Sequence, residues 1–385
     1  MTENHGVGGS IPPLGTILEL PTPALLLDLP RLERNAERMR ERVRDLGVTL
    51  RPHVKTSKSI DVLRVLSAGA NIPITVSTLA EARYFFDRGV SDILYAVGIA
   101  PVKLPEVAAL IRAGCQLRII LDSLEAAETV RAFAAAENVP IEVLIEIDSD
   151  GHRAGVAADD PMLVEIGRAL GDSLVGVMTH AGASYDCRTR AEFEAMAEQE
   201  RSLTVRAAER LRAEGWACPI VSVGSTPTIS YARDLTGVTE ARVGVYAFGD
   251  LVQAELGTCS IDDIAVGVLA SVIGQKPGRL LVDAGFLALS RDRGTADMPV
   301  DYGYGLVADP VSGEPIDGLI VSATNQEHGI VTARDGKLDV SRFPVGARLK
   351  ILPNHACATA AAYDRYHVTE GGDEVVAMWE RVNGW

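Results

Sequence analysis

The sequence contains no apolar run of the roughly 18 residues that a bilayer-spanning helix needs. Its opening residues, MTENHGVGGSIPPLG, have neither the cationic start nor the apolar core of a signal peptide. We therefore expect a cytoplasmic protein that has no membrane partner.

Positive charge and cysteine are also scarce. The 385 residues include 37 lysines and arginines against 52 aspartates and glutamates, a formal net charge of −15. This excess of acid disfavours nucleic acid as a partner and argues for a small-molecule ligand. The five cysteines, odd in number and scattered, do not suit a disulfide framework in a chain of this length. A special cysteine is therefore expected to act as a ligand or a nucleophile.

What the sequence does have is an alternation of short β-prone runs and amphipathic helical segments, from a first strand at residues 24–27 to about residue 250. About eight such repeats predict a parallel (β/α)8 TIM-like barrel. Beyond residue 251 helical runs nearly vanish, and short strands punctuated by Gly, Pro and Asp predict a mainly antiparallel β domain. We assign residues 20–252 to the barrel and residues 253–385 to the β domain, with residues 1–19 joining the second domain.

Lys55 lies at the predicted C-terminal tip of a strand, in the segment VTLRPHVKTSK at residues 48–58. In a parallel β/α barrel that edge carries the catalytic residues. The neighbouring cations Arg51, His53 and Lys58 favour an uncharged amine, which a Schiff base with an aldehyde cofactor requires. A solvated lysine at a strand end is the alternative, and segments further along the chain favour the catalytic interpretation.

Two later strand ends carry groups that suit a phosphorylated cofactor. One predicted strand ends in Gly224, Ser225 and Thr226, where a close backbone approach, two hydroxyl groups and a following helix could hold a phosphate, or simply cap the helix. Loops after the last strands of such barrels commonly hold a phosphate. Another strand opens into a polar loop, residues 146–156, where Arg153 could donate to a cofactor phenolate or lie on an ordinary surface.

The segment His355-Ala356-Cys357 has the composition of a metal site. In an extended segment residues two apart face the same way, so the imidazole and the thiolate would converge on one point. Two protein ligands are too few for a closed structural zinc site, but they leave positions open for water or substrate oxygens. The thiolate favours zinc, with manganese or cobalt as alternatives. An incidental His-x-Cys pair is the other interpretation.

Together and in this order, these segments resemble the fold-type III pyridoxal 5′-phosphate (PLP) enzymes, the alanine racemase-like group. Within it they are most similar to the D-serine dehydratase and D-threo-3-hydroxyaspartate dehydratase family, whose sister is D-threonine aldolase. The motifs span nearly the whole chain and are Thr22-Pro23-Ala24, Arg51-Pro52-His53-Val54-Lys55-Thr56, Thr179-His180-Ala181-Gly182 and Asn354-His355-Ala356-Cys357. The resemblance implies a homodimer with its active site near the interface.

The resemblance also implies a role for each site residue. Lys55 forms the Schiff base, Arg153 lies near the cofactor O3′, His180 lies beside the ring and Tyr185 lies near the pyridine nitrogen. Gly224, Ser225 and Thr226 match the phosphate loop, Gly244 and Tyr246 a second cofactor-facing strand end, and His355 and Cys357 the metal site. The second-domain tyrosine that serves alanine racemases as a base has no identified counterpart.

The predicted activity is a PLP- and divalent-metal-dependent dehydratase that converts a 3-hydroxy-D-amino acid to a 2-oxo acid and ammonia. D-serine, D-threonine and D-threo-3-hydroxyaspartate are equally open as substrates. An aldolase that releases glycine and an aldehyde would use nearly the same site, a racemase would need no metal, and a non-catalytic PLP carrier would resemble the barrel alone. Aldolases tend to carry His-x-Asp where this chain has His-x-Cys, so dehydratase ranks first.

Four other features are less specific. His53 either shapes the Lys55 strand end or touches the cofactor, and His328 lies in a polar turn that could line the substrate cleft. Residues 291–295 could bind a substrate carboxylate, including across a dimer interface, or form an ordinary salt-bridged turn. Cys187 receives no role.

Overall fold

The computed structural model of the chain describes residues 14–385, so the predicted placement of residues 1–13 lies outside the described residues. The strands are β1 (Ala24–Asp28), β2 (Thr49–Leu50), β3 (Ile74–Val76), β4 (Asp92–Gly98), β5 (Gln116–Leu121), β6 (Glu142–Asp148), β7 (Val156–Ala157), β8 (Leu174–Met178), β9 (Ile220–Val223), β10 (Glu240–Ala241), β11 (Val266–Lys276), β12 (Arg279–Val282), β13 (Leu306–Ala308), β14 (Pro315–Thr324), β15 (Gly329–Ala333), β16 (Arg348–Leu352), β17 (Arg365–Thr369) and β18 (Val375–Glu380). The helices are α1 (Leu29–Asp45), α2 (Ile60–Leu66), α3 (Leu79–Phe86), α4 (Leu104–Arg112), α5 (Leu124–Glu137), α6 (Met162–Leu170), α7 (Arg190–Ala213), α8 (Thr226–Tyr231), α9 (Leu251–Glu255), α10 (Phe286–Leu289) and α11 (Ala356–Ala360). Across residues 14–385 no helix is both long and apolar enough to cross a membrane.

Eight parallel strands form the barrel, in the order β2-β10-β9-β8-β6-β5-β4-β3. Backbone hydrogen bonds close the ring just beyond β2, where Thr75 donates to Pro52 O and Val54 donates to Thr75 O, both at 2.9 Å. With helices between the strands, this architecture confirms the predicted TIM-like barrel. The eighth strand, β10, has only two residues, too short for a recognisable periodic pattern.

Polar side chains cap five of the helices that follow the C-terminal ends of barrel strands. A side-chain oxygen accepts a backbone N–H in the first turn of the following helix at Thr78, Ser123, Thr189, Ser225 and Asp250. Such caps satisfy amides that the helix itself leaves unpaired. The functional side chains on these loops therefore start from a fixed backbone.

The second sheet has nine strands in the order β12-β15-β14-β13-β16-β11-β1-β17-β18, and its pairings are antiparallel except between β1 and β17. The C-terminal antiparallel β domain is therefore confirmed. Assigning residues 24–27 to the barrel was wrong, because Leu25 pairs with Val268 of β11 and Leu27 with Val368 of β17. All five β1 residues are buried, so the run has no polar alternation that could indicate which sheet it joins.

The N-terminal residues within the described range also contact this sheet. Leu14 donates to Val375 O at 3.1 Å, and Ile17 donates to Asp373 O at 2.7 Å. The exact domain boundary at residues 252 and 253 stays a prediction.

The last strands of the second sheet brace the loop that carries Lys55. The Tyr366 hydroxyl donates to Ser57 O at 2.7 Å, and Arg381 Nε donates to the same oxygen at 3.0 Å. Tyr366 also packs edge-on against Phe248, with 5.6 Å between ring centroids. Residues of both sheets thus fix the position of one edge of the barrel.

Candidate active site

A cavity of about 580 Å³ lies where the C-terminal ends of the barrel strands face the segment around α11. It includes most of the predicted site residues, namely Lys55, Arg153, His180, Tyr185, Gly224, Ser225, Thr226, Gly244, His355 and Cys357. Residues far apart in the sequence therefore share one space. Of the cavity-lining residues described, none from the second sheet is a tyrosine.

Lys55 is exposed to this cavity, but the expected cluster of cations around it does not form. Arg51 is buried and pairs with Glu240 at 2.8 Å, and Lys58 pairs with the buried Glu81 at 3.1 Å. Both side chains are held by carboxylates, whereas Lys55 lies in the turn that follows β2. Lys58 is therefore committed to an ion pair, and Lys55 is the lysine that faces the cavity.

Two uncharged imidazoles lie near Lys55. Burial, with the charges of Lys55 and Arg242, holds the pKa of His53 well below its usual 6.5, and His53 Nδ1 is buried without a hydrogen-bond partner in the described structure. Burial and the charge of Lys55 lower the pKa of His180 to about 4, and its Nδ1 lies 3.1 Å from Gly224 O. Neutral rings can pack against a cofactor without adding charge.

At two glycines of the predicted cofactor-binding loops, neighbouring backbone approaches too closely for any side chain. Gly224 has φ +129°, and a Cβ there would lie 2.6 Å from Arg242 O; a Cβ on Gly244 would lie 2.9 Å from His53 O. Ser225 caps α8, accepting the Thr228 N–H at 3.2 Å. The two glycines and the hydroxyl groups beside them fit a phosphate-bearing group such as PLP.

Tyr246 is the predicted site residue that this cavity does not include. Its N–H donates to Thr226 Oγ1 at 3.2 Å, but its ring packs in the apolar core and lines a separate cavity of about 390 Å³. The hydroxyl is buried without a partner in the described structure, and burial raises its pKa. A 3-10 turn at Val245–Ala247 follows β10, so the strand does not continue to Tyr246 as predicted.

Glu200, on α7, is a buried residue that the sequence interpretation missed. Its Oε1 accepts the N–H of Ala181 at 3.1 Å and the N–H of Gly224 at 3.2 Å. The carboxylate thereby joins the loop carrying His180 to the phosphate loop, while burial raises its pKa. Its position among the buried residues of α7 could have identified it in the sequence, because a carboxylate is rarely buried without hydrogen-bond partners.

His355 and Cys357 meet, although the prediction of an extended segment was wrong. His355 is the extended residue before α11, and Cys357 lies in the first turn of that helix. Cys357 Sγ is 3.2 Å from Thr56 Oγ1, and His355 Nδ1 is 2.6 Å from Asp292 Oδ2. Asp292 thus fixes the imidazole through one nitrogen and leaves Nε2 available beside the sulfur.

The protonation of the pair suits a divalent cation. Burial lowers the pKa of His355, but Asp292 and Cys357 outweigh burial and raise the pKa to about 11. Burial raises the pKa of the Cys357 thiol, yet His355, Lys55 and Thr56 together bring it below its ordinary value. The thiolate and the imidazole share a proton. If a metal cation replaced that proton, the sulfur and the nitrogen would both be available as metal ligands. The described residues contain no cluster of three or more His, Cys, Asp or Glu arranged as a metal cage.

Two buried polar residues hold the segment that carries these donors. Asp250, the cap of α9, accepts the Ala356 N–H at 3.0 Å. Asn354 donates to Gly303 O at 2.6 Å and accepts from Thr295 Oγ1 at 2.8 Å, which fixes the neighbouring loop. The donor pair is therefore anchored both to the end of the barrel and to the second sheet.

Tyr185 lines the part of the cavity that also contains His355 and Cys357. Burial raises the pKa of its hydroxyl, and the negative charges of Asp250 and Cys357 add to the effect. A hydrogen bond to Gln253 acts in the opposite direction. The tyrosine is thus an uncharged donor at neutral pH, and its predicted contact with a pyridine nitrogen stays a prediction.

The remaining predicted residues separate into lining and non-lining positions. Arg153 lines the cavity and lies 3.5 Å from Glu146. Within residues 291–295 only Asp292 and Gly294 line it, since Arg291 stacks on Phe286 and Arg293 pairs with Asp301. His328 lies on an exposed turn outside the cavity. Cys187 is buried, with its Sγ 3.8 Å from Ala183 O.

An eight-stranded barrel with a lysine and a Gly-Ser-Thr loop at its strand ends, joined to an antiparallel β domain, is the architecture of the alanine racemase-like, PLP-dependent enzymes. Residues 27–252 match the family model "Alanine racemase, N-terminal domain", and residues 265–369 match "Putative serine dehydratase domain". The chain belongs to the family of PLP-dependent lyases that contains the D-serine dehydratases and D-threo-3-hydroxyaspartate dehydratase.

Individual relatives cover nearly the whole chain. D-threo-3-hydroxyaspartate dehydratase of Delftia sp. strain HT23 is 51% identical over 379 residues, covering 96% of this chain and 99% of the relative. A solved structure of that enzyme superposes with a TM-score of 0.93, covering 96% of this chain and 100% of the other. D-serine dehydratase of Dictyostelium discoideum is 33% identical, covering 96% and 98%. D-threonine aldolase of Filomicrobium marinum is similar at 25% identity and a TM-score of 0.79, covering 96% and 98%.

Proposed function

We propose that the protein is a PLP- and divalent-metal-dependent dehydratase that converts a 3-hydroxy-D-amino acid to a 2-oxo acid and ammonia. The observation that carries the proposal is the shared cavity of Lys55 and the His355–Cys357 pair, close enough that the charge of Lys55 acts on the thiol. An amine and an open donor pair would then act on adjacent carbons of one substrate. D-threo-3-hydroxyaspartate ranks first as substrate, because the relative with that activity is 51% identical.

Lys55 would hold the cofactor, with its phosphate in the cradle of Gly224, Ser225 and Gly244. Bound PLP supplies an electron sink that makes the proton on the substrate α-carbon acidic. Lys55 is then the natural base for that proton. The neutral His53 and His180 would enclose the cofactor ring without introducing charge.

His355 and Cys357 would hold the metal ion, zinc first, with manganese or cobalt as alternatives. When bound, the ion supplies Lewis acidity that eases departure of the β-hydroxyl group, a benefit of up to roughly 10 kcal/mol judged from the pKa values of free and metal-bound water. Asp292 orients the imidazole, and Thr56 contacts the sulfur. Solved structures of D-threo-3-hydroxyaspartate dehydratase include a cysteine-to-alanine variant in a metal-free form and a histidine-to-alanine variant two positions away from it, which supports a metal role for the His355–Cys357 pair.

Loss of the hydroxyl group with the α-proton removes water, and hydrolysis then returns water and releases ammonia. Besides Lys55, the cavity contains the uncharged hydroxyl of Tyr185 as a proton donor, near the His355–Cys357 pair. The predicted homodimer, its interface near the active site and the cytoplasmic location stay predictions.

The test is a product analysis with the PLP-loaded enzyme. D-serine, D-threonine and D-threo-3-hydroxyaspartate are each assayed for 2-oxo acid with ammonia and for glycine with an aldehyde. We expect 2-oxo acid and ammonia, suppressed by a chelator that leaves PLP bound and restored by adding zinc. Glycine and aldehyde as the main products would identify an aldolase instead. Full turnover in enzyme shown to be metal-free by elemental analysis would remove the Lewis-acid role.

A further inference from the structure

Most cations that line the cavity are already engaged. Lys55 serves the cofactor in the proposed function, and Arg153 pairs with Glu146. Arg242 is 4% exposed and donates to oxygens inside the barrel. Arg188 remains, and nothing in the proposed reaction uses it.

Arg188 is an exposed residue whose guanidinium is held at one nitrogen. Its backbone N–H and, to a smaller extent, its charge lower the pKa of the neighbouring Glu192, without a side-chain ion pair between them. One nitrogen, Nη1, donates to Tyr185 O at 2.8 Å and to Cys187 O at 2.9 Å. These carbonyls hold the group without neutralising it and leave Nε and Nη2 to bind a ligand. Among residues 14–385 no carboxylate forms an ion pair with Arg188, whereas Arg190 pairs with Glu194 at 2.8 Å. A guanidinium held at one nitrogen, with two free donors, suits a carboxylate.

The location of Arg188 indicates which carboxylate it would bind. Arg188 lines the same cavity as the His355–Cys357 pair and donates to the backbone carbonyl of Tyr185, the residue whose hydroxyl is influenced by the charges of Asp250 and Cys357. A substituent on the substrate β-carbon must lie on the side of the His355–Cys357 pair, because the β-oxygen belongs there. The amino group and α-carbon lie nearer Lys55.

We propose that Arg188 binds the second carboxylate of a dicarboxylic substrate and so selects 3-hydroxyaspartate over D-serine and D-threonine. This inference rests on the proposed function for the orientation of the substrate. Asp186 and Asp297 also line the cavity, and their charges would repel a dianion. Arg188 offsets that repulsion, so its loss should penalise a dicarboxylate far more than a monocarboxylate.

The test compares Arg188→Gln, Arg188→Lys and the control Arg190→Gln in the PLP-loaded enzyme. Arg190 lies on α7 outside the cavity, so its variant should behave like the wild type. Calorimetry measures the binding of D-aspartate, which carries the second carboxylate but no hydroxyl group, and of D-alanine, which lacks both. Steady-state kinetics compare D-threo-3-hydroxyaspartate with D-serine.

Arg188→Gln should weaken D-aspartate binding and lower kcat/KM for 3-hydroxyaspartate about 10–100-fold. D-alanine binding and D-serine turnover should change far less, and Arg188→Lys should retain part of the dicarboxylate preference because it keeps the charge. Equal losses for both amino acids, or unchanged D-aspartate binding, would overturn the proposal. A wild type that forms no 2-oxo acid but binds D-aspartate through Arg188 would refute the dehydratase and leave the carboxylate site standing.

Discussion

Replacing Asp292 with asparagine should weaken metal binding while leaving the fold and the cofactor site intact. Asparagine still offers an oxygen to His355 Nδ1, but it removes the negative charge that holds the imidazole at 2.6 Å. Loss of such an outer carboxylate typically lowers metal affinity by about 10–100-fold. The side chains of His355 and Asp292 are 42% and 38% exposed. Because solvent screens the pair, we expect about a tenfold loss.

The measurement is a competition between the protein and a chromophoric chelator for zinc at one pH. Asp292→Ala removes the acceptor as well as the charge and should approach the hundredfold limit. Asp364→Asn is the matched control, because Asp364 forms an exposed ion pair with Arg365 in the second sheet. Zinc dissociation constants that stay at the wild-type value in both Asp292 variants, with circular dichroism unchanged, would refute the idea that this carboxylate orients the ligand.

Other variants test the remaining parts of the site. Lys55→Ala should abolish the visible absorption of the bound cofactor, and borohydride reduction of the wild type should label Lys55 in peptide mapping; a label on Lys58 would contradict this choice. Cys357→Asp should lose most 2-oxo acid formation while keeping that absorption, because a hard oxygen replaces a soft sulfur; an unchanged rate would show that the sulfur is dispensable. Burial and Lys55 lower the pKa of His180 from 6.5 to about 4. As the pH falls from 6.5 to about 4, this imidazole therefore takes up a proton in the unfolded state before it does so in the folded state. The free energy of unfolding should fall by up to about 3 kcal/mol over that pH range. Urea unfolding of the cofactor-free protein should show this slope, and the slope should be smaller in His180→Asn but not in His328→Asn.

Local sequence patterns located most of the barrel because each strand and helix carries its own periodicity. The alternation of strands and helices that follows β1 is the predicted barrel pattern. Strand β1 was assigned to the wrong sheet because its uniformly buried residues would suit either one. Strand β10 was not identified from the residue pattern, because its two residues are ordered by pairing with β2 and β9 rather than by their own propensity.

Residue chemistry identified the groups that line the cavity, but not the groups that hold them. The bond between Asp292 and His355 joins residues 63 apart, and the bond between Asp250 and Ala356 joins residues 106 apart. No spacing rule covers such separations, because they depend on how the two sheets meet. Tyr246 was predicted to face the cofactor but does not. Its neighbour Val245 lines the cavity, whereas the turn at Val245–Ala247 directs Tyr246 into the apolar core.

The position of β1 between β11 and β17 affects how the molecule can assemble. On a ribosome the first strand emerges long before either neighbour, since Leu26 pairs with Gly267 on one side and His367 on the other. The sheet therefore cannot be completed until β17 has been synthesised, and contacts of such high order close slowly. A fragment beginning at residue 253 would lack an internal strand, leaving the hairpin of β17 and β18 without its partner. The loop of Lys55, braced by that hairpin, would acquire its final environment only after β17 and β18 have been synthesised.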